Sequence, residues 1–109
     1  MEPLNTNRQN PIHMQHLIVS AVQNPAFTFD EEYGGAFVGC WIKDRTEDEA
    51  FTVAKEWLAT SGWIVKSLEK QRAVSKFDYQ CGEDGGQQYE QALEDGEVYV
   101  FHAWPRRPE

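Results

Sequence analysis

Three histidines and two cysteines are the side chains in this sequence best suited to metal ligation or nucleophilic chemistry. His13 and His16 stand three residues apart, and together with His102 they could gather three imidazoles around one ion. No HExxH motif and no carboxylate at matching spacing accompanies them, so no metal site is expected. Cys40 and His102 both fall in strand-like segments. If those strands are neighbours and the two side chains share a face, the imidazole would lower the thiol pKa and prepare a nucleophile. A buried cysteine more often serves as a small hydrophobe, and Cys40 and His102 are weak catalytic candidates. Cys81 is the second cysteine; without a CxxC motif or a secretion signal, free thiols in a reducing, cytoplasmic compartment are expected. Gly34-Gly35 and Gly82 to Gly86 lack the context of a phosphate-binding loop, and no GxSxG is present. No cofactor is implied, and whether the chain is an enzyme at all stays open, with the balance towards no.

Charge points elsewhere. Ten Lys and Arg against eighteen Asp and Glu leave a net charge of −8, which opposes a phosphate backbone and argues against nucleic acid as a partner. Residues 83 to 97 concentrate the effect, with Glu83, Asp84, Glu90, Glu94, Asp95 and Glu97 and no base among them. Glu90 and Glu94 lie one helical turn apart and share a face. That face is either solvated or an acidic partner surface, made by Glu83, Asp84, Glu90 and Glu94, that steers a basic protein into place. The regular alternation of oxygen ligands that calcium requires is missing. Lys66, Lys70, Arg72 and Lys76 form a basic strip that pairs with nearby acids or protects strand edges; alternatively it meets the acidic segment of a second copy.

At 109 residues, 40% apolar and 13% aromatic, the chain has one domain's length and too much apolar surface for disorder. The longest uncharged apolar stretch, Leu17 to Val22, is far too short to cross a bilayer, so no membrane association is expected. Residues 1–16, polar and interrupted by Pro3 and Pro11, read as a flexible leader, residues 17–104 as the domain, and residues 105–109 as a Pro/Arg tail.

Within the domain, Leu17 to Val22 reads as an added edge strand closed by Asn24-Pro25. Phe27 to Gly35 reads as a loop. Ala36 to Ile42 is an apolar strand. Thr46 with Glu49 three residues on is a capping box, and Ala50, Ala54, Trp57, Leu58 and Ser61 form the inward stripe of a helix that Gly62 ends. Trp63-Ile64-Val65 opens a second strand. Ala73 to Tyr79 is either a third strand or the end of one long bent strand. Gln87 to Asp95 is a short helix, and Glu97 to Trp104 is the last strand. From Ala36 the order is strand, helix, strand, strand, helix, strand, which predicts an α+β, ferredoxin-like (split βαβ) antiparallel sheet with two helices on one face.

Alternation in the first and last of those strands then singles out four rings. With Val38, Cys40, Ile42, Val98 and Val100 under the helices, Phe37, Trp41, Tyr99 and Phe101 would form an aromatic patch on the bare face. Four such rings exceed what a monomer leaves in water. The N-terminal segment, a second copy or a foreign ligand should cover them. The functional expectation is a small acidic binding or regulatory domain that self-associates through this face as a homo-oligomer. A cofactor-independent enzyme with a cavity at a dimeric sheet interface, and an acidic inhibitor or immunity-type protein for a basic partner, are the alternatives. An interfacial Trp41 should tolerate truncation with little loss of stability, whereas a core Trp41 would cost about 3–5 kcal/mol.

Overall fold

A computed structural model describes residues 14–75, 78–79 and 85–105 of the chain. Strict alternation in Met14–Gln23 (β1) buries Leu17, Val19 and Ala21 on one side and Met14 on the other. A strand buried on both faces needs cover on both sides, and it is also paired along both edges. Tyr33–Lys43 (β2) returns antiparallel to it, with Leu17 opposite Cys40 and Val19 opposite Val38. The connection is held by Gln23, whose side chain donates to the Glu31 carbonyl and accepts from the Tyr33 amide, each at 2.9 Å.

Glu47–Thr60 (α1) starts at the expected capping box: Thr46 Oγ1 accepts from the Glu49 amide and Glu49 Oε1 from the Thr46 amide, both at 3.2 Å. Ala50, Ala54 and Leu58 are its fully buried residues and press on Leu17, Val38 and Cys40. Past the helix, Gly62 has φ +94°, and a Cβ there would lie 2.9 Å from the Phe29 ring. Glycine meets both demands, the left-handed backbone and the close approach of a ring.

Trp63–Val74 (β3) is one continuous strand, antiparallel to β1, with register irregularities at Ile18/Val19 and Ser20/Ala21. Gly86–Asp95 (α2) and Glu97–Pro105 (β4) complete the chain, with β4 antiparallel to β2.

The protein is therefore α+β with a four-stranded antiparallel sheet and two helices, in the order β3-β1-β2-β4. This is not the ferredoxin-like order. The segment expected at an edge, β1, lies in the middle and separates β2 from β3, because its apolar residues serve both faces. Its pairing also begins at Met14, inside the stretch read as leader. No separate strand starts at Ala73, since Val74 still pairs with Met14 and the long bent strand is the one formed. Gly34-Gly35, read as loop, belongs to β2.

The helices do not share a face. α1 packs against Leu17, Val38, Cys40 and Ile42, whereas Tyr89 and Ala92 of α2 pack against Met14, Trp41 and Val74. These sets alternate along β1 and β2, so the sheet has a helix on each side. Residues 1–13 of the expected flexible leader lie outside the described residues, as do Cys81, Lys76 and the tail from residue 106.

Two substitutions distinguish the cap of α1 from its packing on the sheet. Thr46→Ala, which removes one cap acceptor, should cost about 0.5–2 kcal/mol. Leu58→Ala, which opens a cavity under α1, should cost about 2–5 kcal/mol. Urea unfolding should show both as lower midpoints with the larger drop for Leu58; equal shifts would contradict the packing of α1 on the sheet.

Candidate functional site

Directly opposed residues of an antiparallel pair point to the same face. Across β2 and β4, Cys40 lies opposite Tyr99 and Val38 opposite Phe101, while Trp41 lies opposite Val98 and Phe37 opposite His102. The four rings expected on one face are thus divided. Tyr99 and Phe101 sit under α1, where Trp57 stacks on Tyr99 with centroids 4.0 Å apart and planes within 3°, and Trp63 lies 5.3 Å from Phe101. Phe37 and Trp41 occupy the α2 face. The shared-face expectation failed because alternation within each strand leaves its phase relative to the neighbour open, and only the register sets it.

The same register separates Cys40 from His102. Cys40 is fully buried towards α1, and burial pushes its thiol up to about 12. His102 lies on the other face, so no Cys/His pair forms. The thiol is protonated at neutral pH and has no base beside it.

On the α2 face the helix covers one end of the sheet and leaves the rest as an open groove of about 1210 Å³. His16 and Ile18 of β1, Phe37 and Gly39 of β2, and Val100 and His102 of β4 form its floor. Tyr79, the start of α2 and Glu90 bound one side, and Glu69 and Lys70 of β3 another. His16 and His102 thus come into one groove, but they align with Trp41 and Phe37 respectively. Four residues along a strand is roughly 13 Å, too far to share an ion. The described residues hold no group of three potential metal ligands, and His13 lies outside them.

Trp41 anchors the covered end. It is only 7% exposed, His16 stacks on it at 4.3 Å, and its Nε1–H donates to the Tyr79 hydroxyl at 3.1 Å. Asp78 steadies that corner by accepting from the Ser75 amide at 2.7 Å and from Arg72 at 3.2 Å. These bonds hold its carboxyl below the usual range. Trp41 is thus a core residue and not a free interface ring. His16 pays electrostatically for its place: burial, and then Arg72 and Lys70, lower its pKa from the ordinary value.

The open end carries Phe37, one of the four expected rings, and beside it Trp104, which alternation in the strands did not single out. Trp104 is 40% exposed and Phe37 44%, with their rings tilted together at 5.2 Å. Trp104 lies against β2 because Gly34 and Gly35 leave it room; a Cβ on Gly35 would stand 2.5 Å from its ring. A glycine pair entering an apolar strand was the available signal, since glycine inside a strand often marks a close approach. Of the acidic set, Glu90 is exposed on the groove wall and Glu94 is exposed one turn further along α2. Glu83 and Asp84 lie outside the described residues. Lys43 donates to the Leu93 carbonyl at 2.7 Å, satisfying an acceptor in the last turn of that helix.

No helix among the described residues is long and apolar enough to cross a membrane. Comparison with protein-family models, curated proteins and solved structures gave no match for the chain.

The lowered pKa of His16 has a definite sign. The unfolded chain takes up a proton near pH 6.5 and the folded chain only at lower pH. Its contribution to stability is therefore complete above that range and lost as pH falls towards the folded value. Urea midpoints should drop on acidification below about pH 6.5, and His16→Phe should flatten that part of the profile. An identical profile in the variant would exclude His16 as the cause. In native protein Cys40 should resist alkylation, as read by mass spectrometry, and react once urea unfolds the chain.

Proposed function

We propose that this protein is a non-catalytic recognition module that holds a basic, amphipathic segment of a partner protein in the groove on the α2 face. The observation that carries this reading is the exposed floor of the groove, where Phe37 stands 44% exposed in line with Ile18 and Val100, and Trp104, 40% exposed, tilts against Phe37 at its margin. Exposed apolar side chains gathered in this way support a binding role. The open volume of about 1210 Å³ exceeds the roughly 300–1000 Å³ of typical small-molecule pockets. It suits a row of apolar side chains from a polypeptide, as in helix-in-groove recognition.

Charge selects among such segments. The chain carries −8, and α2 has Glu90, Glu94 and Asp95 with no base. Cations on the partner would meet Glu90 on this wall and Glu69 on the β3 side, where it stands next to Lys70. A face-to-face homodimer fits less well, because two concave floors would leave unfilled space between them. The enzyme alternative has less support: His16 is committed to the Trp41 stack, the Tyr79 hydroxyl accepts from Trp41, and Cys40 faces away. An acidic inhibitor of a basic enzyme is the special case in which the bound segment belongs to that enzyme.

A synthetic Leu/Lys amphipathic peptide, with a Leu/Glu peptide as its counterpart, tests the reading by titration calorimetry. The Lys peptide should bind and the Glu peptide should not. Phe37→Asp should weaken binding about tenfold or more, and Glu90→Lys should slow association most at low salt. Glu56→Lys on the exposed side of α1 should change neither. Equal affinity for both peptides, or unchanged affinity in Phe37→Asp, would overturn the proposal.

A further inference from the structure

The two edges of the sheet are built differently. β3 carries Lys66, Glu69, Lys70 and Arg72, and its pairing with β1 is broken by two register irregularities. Charges and bulges of this kind keep an edge from pairing with another chain. β4, the opposite edge, has Glu97 as its one charged residue, and it stays in regular register with β2 from Gly35 to Ile42. Its interior, Val98-Tyr99-Val100-Phe101-His102-Ala103-Trp104, is β-branched and aromatic. Among the described residues only β2 pairs with it. Alternate peptide groups along such an edge point outward, and from Val98 to Trp104 no charge or proline discourages a further strand; Pro105 limits pairing only at the strand's end.

We infer that the protein forms a two-fold homodimer by antiparallel pairing of β4 with β4 of a second copy, giving one continuous sheet across the pair. Two features select a second copy as the occupant. First, a two-fold axis perpendicular to the sheet maps each face onto itself. The Tyr99 and Phe101 row then continues beneath both α1 helices, and the Val100, His102 and Trp104 row continues on the other side. Second, α2 packs near the start of β4, against Val98 and Val100. Antiparallel pairing sets the two acidic helices at opposite ends of the seam, where parallel pairing would put them side by side. The outcome is two grooves on the same side of one sheet, with His102 and Trp104 of each copy beside the seam. The inference does not depend on what the groove binds.

Light scattering of the full chain across a wide concentration range tests it. The expected mass is twice the 12.6 kDa of one chain, falling towards one chain on dilution and in Ala103→Lys, which adds a charge to the β4 edge. Leu68→Lys, a matched change on the exposed β3 edge, should leave the dimer intact. Hydrogen exchange on the unmodified chain gives an independent readout: β4 amides should gain protection as concentration rises while β3 amides do not. A single-chain mass at every concentration, a dimer that survives Ala103→Lys in folded protein, or exchange that is insensitive to concentration along β4 would each overturn the inference.

Discussion

Cys40 opposite Tyr99 across the β2–β4 ladder is the pairing on which the distribution of side chains in this protein depends. Side chains alternate along each strand, so a shift of one residue would exchange the entire inner and outer sets of β4. In the observed register Tyr99 and Phe101 join the aliphatic core beneath α1, where Trp57 closes over them. Burial there, reinforced by the hydrogen bond that the Tyr99 hydroxyl donates to Glu97, raises the tyrosine's pKa and keeps it neutral. Val98, Val100 and His102 turn to the other face, where Val98 packs in the cluster with Trp41 and Tyr89 and Val100 and His102 join the floor of the groove.

Glycine shapes that floor as much as the rings do. Gly39 gives the Trp41 ring a surface to lie on; a Cβ there would stand 3.1 Å from the ring, close enough to need an adjustment. Gly35 does the same for Trp104 with less tolerance. The two indoles meet different fates because α2 and Tyr79 cover only one end of the sheet. Trp41 becomes core and holds His16 in its stack, while Trp104 stays half open against Phe37. One short helix therefore decides which part of an aromatic face stabilises the fold and which part stays exposed.

Electrostatics is divided along the same lines. Lys66, Lys70 and Arg72 lie on β3, where Arg72 and Lys70 depress the pKa of His16, and Glu90, Glu94 and Asp95 lie on α2, with Glu90 at the wall of the groove. Glu90 stands on one wall of the groove, and Glu69 beside Lys70 stands across its floor. The unguarded β4 edge borders the same floor, so pairing of copies and filling of the groove would use adjacent rows of one strand without competing for the same groups.

Much of the local structure was legible in the sequence. Thr46 and Glu49 marked the start of α1, its buried stripe followed from the spacing of Ala50, Ala54 and Leu58, and Tyr89 and Ala92 marked the inner side of α2. These features depend on residues within a few turns of one another, and nearby residues settle capping and helical periodicity. Strand order, register and the side taken by each helix were not legible. They turn on whether Met14 to Gln23 joins the sheet at its edge or in its middle, and on which residue of β4 meets Cys40. Alternation is equally well satisfied by either phase, so only the competition of all strands for burial on both faces could choose. The sequence by itself determined the elements and the chemistry available to them; the tertiary structure decided which side chains share a face, and with that, which rings are buried and which stay exposed.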